Sequence, residues 1–225
     1  MGCVTRVRIA LLAGVLALAT AFFAPTAFAC ARGYSYAGLY STSTASGIGA
    51  TLSMVDTPNI ATGHVAGWVG VGGPGLGPNG TDEWLQVGLA SFSDSPDGHL
   101  YYELTRPGKE PEYTELASGI QPGAKLRVAL LELPFSPNTW IVISPAGIAG
   151  PFYLPRSHKR WEPIATAESW DAGGSQCNRF AYRFGGIELA RQNGSWHALH
   201  RGRKLQDPRW LLHRETGSTF QAVAA

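Results

Sequence analysis

Two neighbouring segments contain residues that could bind or process an extended polymer. Gly67–Gly72 reads Gly-Trp-Val-Gly-Val-Gly, and Trp84–Leu89 reads Trp-Leu-Gln-Val-Gly-Leu after a loop rich in Gly and Pro. Because alternate side chains of a strand point to opposite faces, Trp84 and Gln86 share one face and an aliphatic triplet takes the other. A hairpin would also bring Trp68 near Gln86. We expect an open face whose glycines leave room for a peptide or a sugar; the alternative is a hairpin with ordinary outward-facing polar residues.

Other kinds of catalytic or cofactor site have little support in the sequence. The six histidines include no H-E-x-x-H motif and no cysteine pair has zinc-ligand spacing, so we expect no metal site and no cofactor. No G-x-S-x-G motif marks a nucleophilic serine, although one sequence does not exclude a Ser/His/Asp triad. The run Gly70–Gly80 lacks the Lys and Ser/Thr of a phosphate-binding loop, and we interpret it as a hairpin loop.

The segments that must position these residues have the pattern of short strands. Alternating and β-branched runs recur along the chain, separated by turns rich in Gly, Pro and Asn. The predicted strands are Gly49–Val55, His64–Val71, Trp84–Phe92, His99–Leu104, Lys125–Leu133, Thr139–Ser144, Ile164–Trp170, Asn178–Phe184 and Ile187–Gln192. Even spacing without crossover helices favours an all-β fold, either an antiparallel β-sandwich or a jelly roll, as a single domain over residues 30–199.

Several short motifs occur in a definite order between Tyr34 and Ala190. They are Tyr36-Ala37-Gly38, Trp68–Gly73, Leu85–Gly88, Tyr101-Tyr102-Glu103, Pro122-Gly123 before Lys125–Leu131, Ala167–Trp170 and Phe180–Gly185. In these motifs and their order the chain resembles the glutamic peptidases (eqolisins, scytalidopepsin-like). The resemblance implies a curved jelly-roll sandwich of the concanavalin-like kind and the hydrolysis of peptide bonds.

The resemblance also implies a catalytic pair, Gln86 and Glu168. A carboxylate can take a proton from water at mildly acidic pH, and a neutral amide can donate a hydrogen bond to the oxyanion that forms on the scissile carbonyl. The predicted substrate-binding residues are Tyr36, Trp68, Trp84, Tyr101 and Tyr102. The alternative for Glu168 is an ordinary outward-facing strand carboxylate.

The chain departs from the family pattern around this pair. Gly72 and Ala90 stand where the family has supporting Asp residues, Tyr36 stands at a Trp position, and the Trp expected directly after the Glu is displaced to Trp170. Supporting side chains hold catalytic groups within a fraction of an ångström. The resemblance therefore supports the fold more strongly than the activity. The alternative interpretation is a divergent, non-catalytic member of the family.

Residues 1–29 have the layout of a secretory signal peptide. Arg6 and Arg8 precede an apolar run over Ile9–Phe23, and Ala27-Phe28-Ala29 matches a small-residue cleavage site. The apolar run is shorter than the ~20 residues that span a bilayer. We predict a secreted protein without a transmembrane segment; the alternative is a retained membrane anchor.

Cleavage after Ala29 would leave two cysteines, Cys30 and Cys177. In an oxidising compartment an isolated pair most simply forms one disulfide that closes a long loop. Lipidation of Cys30 is the alternative; we prefer the disulfide because Ala27 and Phe28 match a lipoprotein signal poorly. Neither interpretation makes a cysteine catalytic.

Charge and composition limit the partners. The chain has 18 basic and 16 acidic residues, and only 15% of its residues are charged, against the usual ~25%. We expect a monomer that binds no nucleic acid. Residues 200–225 are locally basic, and we interpret them as a solvated C-terminal extension in which Pro208–Arg214 forms a helical turn or a last strand; a patch for an anionic surface is the alternative.

Two functions therefore stay open. The first is a secreted acid endopeptidase that acts on polypeptides with the Gln/Glu pair. The second is a non-catalytic, lectin-like sandwich that binds carbohydrate or peptide by stacking Trp84, Tyr101 and Tyr102 on the ligand.

Overall fold

The computed structural model describes residues 33–174 and 176–224, which form an all-β protein. The strands are β1 (Tyr34–Ser41), β2 (Gly47–Met54), β3 (His64–Gly73), β4 (Glu83–Phe92), β5 (Ser95–Thr105), β6 (Glu112–Ile120), β7 (Leu126–Glu132), β8 (Thr139–Ser144), β9 (Gly147–Tyr153), β10 (Ile164–Trp170), β11 (Phe180–Ala190), β12 (Trp196–Ala198), β13 (Gly202–Gln206), β14 (Trp210–Thr216) and β15 (Thr219–Ala224). A single-turn 3-10 helix, Pro78–Gly80, interrupts the loop between β3 and β4.

The strands form two antiparallel sheets, so the predicted β-sandwich is confirmed. Seven strands make one sheet in the order β13-β1-β10-β3-β4-β5-β6, and eight make the other in the order β14-β15-β11-β2-β7-β8-β9, with β12 paired to β11. Six of the thirteen neighbouring pairs among the described strands join strands that are not consecutive in the chain. The pairing of β1 with β10 and of β10 with β3 brings three distant segments side by side.

The core between the sheets is built from one face of each strand. On β4 the side chains of Leu85, Val87 and Leu89 are completely buried in the main hydrophobic cluster, as their alternation predicted. Burying one such side chain contributes about 1.5–3 kcal/mol relative to leaving it exposed. Because strands have a period of two, this burial directs Gln86 to the opposite, outer face of the seven-stranded sheet.

The predicted strands agree well with the observed ones where both faces have a clear pattern. β10 has the predicted bounds and β4 begins one residue earlier than predicted. The predicted strands lack β1, β6, β9, β12, β13 and β15; of these, β6, β9 and β13 lie at the outer edges of their sheets. Edge strands bury less and tolerate Gly and Pro, as in the Gly147–Tyr153 segment, so their alternation is weak.

The C-terminal segment is part of the sandwich and is not a solvated extension. β13 pairs with β1 in the seven-stranded sheet, while β14 and β15 close the edge of the other sheet. Trp210 and Phe220 are buried and belong to the core. The sheets therefore continue to Ala224, past the predicted boundary at residue 199, and the last-strand option for Pro208–Arg214 agrees with β14.

Some predictions fall outside the described residues. Residues 1–29 and Cys30 are among these, so the signal peptide, its cleavage and the Cys30–Cys177 disulfide stay predictions. Within residues 33–174 and 176–224, no helix has the length and apolar character needed to cross a membrane.

Candidate active site

A pocket of about 490 Å³ opens on the outer face of the seven-stranded sheet. Six strands contribute to its walls: β13, β1, β10, β3, β4 and β5. Its functional side chains are Tyr36, Trp68, Trp84, Gln86, Glu103 and Glu168. The structure thus brings together in one pocket both residues of the predicted catalytic pair and three of the five predicted substrate-binding residues.

Glu168 is held in the pocket by two residues of β3. The indole Nε1 of Trp68 donates a hydrogen bond to Oε2 at 2.9 Å, and Nε2 of His64 lies 3.4 Å from Oε1. The carboxylate is 6% exposed as a residue, so it is not an ordinary solvated strand carboxylate. Antiparallel register explains the contact, because Glu168 pairs with Ala66, the residue between His64 and Trp68 on the same face.

Glycines around Trp68 make room for its indole. A Cβ at Gly88 would lie 2.6 Å from the Trp68 Cβ, and a Cβ at Gly70 would lie 2.7 Å from its Cζ3. Both positions therefore need glycine for the indole to lie across the sheet and reach Glu168. At these two positions the side chain that positions the carboxylate fills the space a Cβ would take, while Gly70, Gly72 and Gly73 also line the pocket.

Gln86 is positioned by Tyr101. The amide Nε2 of Gln86 donates to the Tyr101 hydroxyl at 3.0 Å, and both residues are buried. Burial raises the pKa of Tyr101 well above its usual value, with the charge of Glu168 adding to the effect. Tyr101 stacks on Tyr113 with ring centroids 5.0 Å apart. Tyr101 therefore holds the Gln86 amide in place and does not offer its ring to a ligand. The second hydrogen of the Gln86 amide is left for a partner in the pocket.

Tyr102 is not part of the site. It pairs with Val87 and its ring lies on the core side of β5, 5.2 Å from that of Phe152. Consecutive strand residues point to opposite faces, so Tyr101 and Tyr102 could not both face a ligand. The prediction of Tyr102 as a substrate-binding residue is wrong for this reason.

Glu103 is a second carboxyl group in the pocket that the sequence reasoning did not select. Its Oε1 accepts a hydrogen bond from the indole Nε1 of Trp84 at 2.8 Å. Burial raises the pKa of Glu103, and the charge of Glu168 raises it further against the lowering effects of Trp84 and His64. The signal that could have found it is strand register: Gln86 pairs directly with Glu103.

Aromatic rings surround the side of the pocket near Glu168. The ring centroid of Tyr34 lies 6.1 Å from that of Tyr36, 6.4 Å from that of Trp170 and 5.9 Å from that of His64. Burial, and then the charge of Glu168, raise the pKa of Tyr34 and of Tyr36. Both phenols are therefore neutral in acidic and neutral solution and can donate hydrogen bonds. His64 was missed although its spacing of two and four from Ala66 and Trp68 places all three on one face.

Metal chemistry has no geometric support within residues 33–174 and 176–224. No group of three or more His, Cys, Asp or Glu side chains is arranged there to hold a metal ion.

Comparisons with known proteins relate the chain to others only at the level of three-dimensional structure. No protein-family model matches the sequence, and no curated protein sequence does either. Scytalido-glutamic peptidase, solved with a peptide-based transition state analog, is 13% identical with a TM-score of 0.56, over 86% of this chain and 98% of that one. SCP-B, a member of the eqolisin family solved with the tripeptide Ala-Ile-His, is 14% identical with a TM-score of 0.55 over the same shares. At these identities the match shows that the fold is shared.

Proposed function

We propose that this protein is a secreted acid endopeptidase that hydrolyses peptide bonds with Glu168 as general base and Gln86 as oxyanion donor. The main support for the proposal is that these two side chains line one pocket on the outer face of the seven-stranded sheet, although they are 82 positions apart in sequence. The shared fold with peptidases solved with peptide ligands supports a polypeptide substrate.

The surroundings of Glu168 suit a general base. Its Oε2 is engaged by the Trp68 indole, so the proton of an attacking water would go to Oε1, on the His64 side. An anchored carboxylate keeps its acceptor lone pair aimed in one direction, which is what proton transfer from a bound water requires. General base catalysis of this kind contributes typically about 10²–10⁴-fold to a rate.

Gln86 suits the complementary role. As water adds to the scissile carbonyl carbon, negative charge develops on the carbonyl oxygen, and a neutral amide N–H in a buried site can stabilise it. The Gln86 amide cannot titrate, so it donates at any pH. Because Tyr101 already fixes the amide, little reorganisation is needed when the oxyanion forms.

Glu103 completes the proton transfers. Its raised pKa means that it keeps its proton to a higher pH than an ordinary carboxyl, and Trp84 fixes its orientation. A protonated carboxyl beside Gln86 is placed to give a proton to the departing amine when the C–N bond breaks. Two carboxyl groups in one pocket, one acting as base and one as acid, form a recurrent arrangement for hydrolysis.

The surroundings of the positions that depart from the family pattern are compatible with this chemistry. Gly72 has φ of +83° and a Cβ there would lie 2.3 Å from the Glu83 carbonyl oxygen, so this backbone accepts no Asp. Ala90 packs in the buried cluster with Ala66 and Trp68. In this chain His64 stands close to Glu168 and supplies a polar neighbour for the carboxylate.

Digestion of an unfolded protein tests the proposal. The purified protein is incubated with reduced, alkylated casein from pH 2 to 8, and new N-termini are identified by mass spectrometry. We expect internal cleavage with an optimum in mildly acidic solution, between about pH 3 and 5, as proposed for this acid endopeptidase. Absence of cleavage over the whole range contradicts the proposal.

A specific observation favours carbohydrate binding as the second candidate. Tyr34 and Trp170 are 55% and 39% exposed, and their rings lie nearly parallel beside the pocket. Exposed aromatic faces of this kind can stack on sugar rings. A glycan array distinguishes the two: saturable glycan binding that is lost in Trp170→Ala, from a protein that cleaves no polypeptide, favours the lectin-like function.

A further inference from the structure

Three side chains on β5 and β6 form a hydrogen-bonded chain outside the pocket described above. The hydroxyl Oγ of Ser95 lies 2.8 Å from His99 Nε2, and His99 Nδ1 lies 2.7 Å from Glu115 Oε2. Ser95 and His99 are four residues apart on β5, and Glu115 reaches them from the neighbouring edge strand. None of the three lines the pocket that contains Glu168.

The chemistry of the partners sets the direction of both hydrogen bonds. An ionised carboxylate only accepts, so Nδ1 of a neutral His99 carries the hydrogen that Glu115 receives. Nε2 then has a free lone pair, and the Ser95 hydroxyl must be the donor to it. A serine hydroxyl that donates to a histidine, itself oriented by a carboxylate, is the arrangement in which the histidine can remove the serine proton during nucleophilic attack.

The imidazole is held by its aromatic neighbours. Phe92 meets the His99 ring edge to face, with centroids 5.4 Å apart, and Tyr113 lies 5.9 Å from Phe92. The His99 side chain is 12% exposed and the Glu115 side chain 44%. Ser95 itself is half-buried at the start of β5, opposite Phe92 in the hairpin. A reactive hydroxyl is thus reachable from solvent beside an apolar wall.

We propose that Ser95, His99 and Glu115 form a second, serine-type hydrolytic site that accepts carboxylic esters with an apolar acyl group. Ser95 is the nucleophile, His99 is the general base and then the general acid, and Glu115 is a positioning residue. Phe92 and Tyr113 provide the apolar surface for the acyl group. This activity is independent of the Glu168 pocket.

The reaction balances with water as the only co-reactant. Ser95 Oγ bonds to the ester carbonyl carbon while its proton passes to His99 Nε2. The ester C–O bond then breaks, and the leaving alkoxide takes that proton to become an alcohol. A water molecule attacks the acyl-serine, again giving a proton to His99; the acyl C–Oγ bond breaks, Ser95 regains the proton, and a carboxylic acid leaves.

Covalent labelling tests the nucleophile directly. The full-length protein is treated at pH 7–8 with a fluorophosphonate, which bonds to an activated serine with loss of fluoride, and the modified residue is located by peptide mass spectrometry. We expect one adduct, on Ser95, and a burst of nitrophenol from p-nitrophenyl acetate. Ser93→Ala is the matched control, because Ser93 is an exposed residue of the same hairpin outside the chain of hydrogen bonds, and it should leave the labelling unchanged.

Variants of the other two residues separate a catalytic role from a purely structural one. His99→Ala should lower the labelling rate about 100-fold or more. Glu115→Gln should lower it less, with an unchanged melting temperature, and Glu115→Asp should restore part of the rate. Absence of an adduct on Ser95 in the folded wild-type protein overturns the proposal, as does an adduct whose rate does not depend on His99. Labelling that persists in Glu168→Gln would show that the two sites act separately.

Discussion

The two outer faces of the sandwich use charged side chains in opposite ways. On the eight-stranded sheet, Arg127 pairs with Glu188 and Arg183 with Glu215, and these four side chains are 41–45% exposed. On the seven-stranded sheet, the Glu168 side chain is 8% exposed and is contacted by an indole and an imidazole. The same antiparallel construction thus gives one solvated face and one face on which polar groups are desolvated and oriented.

The difference matters because the strength of electrostatic effects depends on solvent. Exposed ion pairs contribute about 0–1 kcal/mol to stability, since water screens them. Removing a carboxyl group from water disfavours its charged form, as Glu103 shows: burial is the main cause of its raised pKa, and the charge of Glu168 adds to it. Chemistry is therefore expected on the face of the seven-stranded sheet, and the other face serves as an internal control.

The largest effect is expected from Glu168→Gln, which removes the proposed base. Gln keeps an oxygen that can accept the hydrogen bond from Trp68, so the fold should be preserved. We expect the rate of casein cleavage at pH 4 to fall about 10²–10⁴-fold with little change in melting temperature. Glu188→Gln on the other sheet is the matched control and should leave cleavage unchanged; equal activity of the two variants would exclude Glu168 as the base.

Gln86→Ala is expected to have the next largest effect on activity. Removing one oxyanion donor typically lowers kcat about 10²–10³-fold, and KM should change little because the interaction forms in the transition state. Initial rates over a range of substrate concentrations measure both constants. A variant that raises KM at constant kcat would instead assign Gln86 to substrate binding.

Glu83 extends the comparison because it is a carboxyl group of the seven-stranded sheet that is buried without a hydrogen-bond partner among the described residues. Neither of its carboxyl oxygens has a hydrogen-bond partner among the described residues, and burial raises its pKa from 4.5 to about 7. Below pH 4.5 the group is protonated in both the folded and the unfolded chain. Between pH 4.5 and about 7 the unfolded chain ionises first, so the free energy of unfolding falls as pH rises.

Urea unfolding at pH 5 and pH 8 measures this effect. A pKa difference of one corresponds to about 1.4 kcal/mol, so we expect the ionisation of Glu83 to lower the free energy of unfolding by roughly 2–3 kcal/mol between pH 5 and pH 8. Glu83→Gln should reduce this pH dependence and be more stable than the wild type at pH 8. An unchanged pH dependence in the variant would show that Glu83 ionises without cost.

The smallest effect is expected on the solvated face. Arg127→Ala removes the ion pair with Glu188 and the bond that Arg127 donates to the Gly186 carbonyl. We expect a loss of about 0–1 kcal/mol, smaller at high salt, and no change in peptide cleavage. A loss of several kcal/mol would mean that this face is organised as tightly as the other.

Local pattern was sufficient for much of the fold. The alternation in Trp84–Leu89 predicted both the buried aliphatic face and the outward direction of Gln86, because side-chain direction in a strand depends only on position along the chain. The same rule, applied to Tyr101 and Tyr102, would have removed Tyr102 from the site, and applied to β3 it would have added His64. Both the exclusion of Tyr102 and the inclusion of His64 could have been predicted from the sequence alone.

The rest depended on pairing between distant segments, which no local pattern contains. Register places Glu168 of β10 against the residue between His64 and Trp68 of β3. The course of the C-terminal segment likewise followed from the burial of Trp210 and Phe220 against strands far away in sequence. By itself, then, the sequence determined which residues form strands and which way most side chains point, whereas only the tertiary structure decided which of them meet, because hydrogen bonds between strands are chosen by the packing of the whole sandwich.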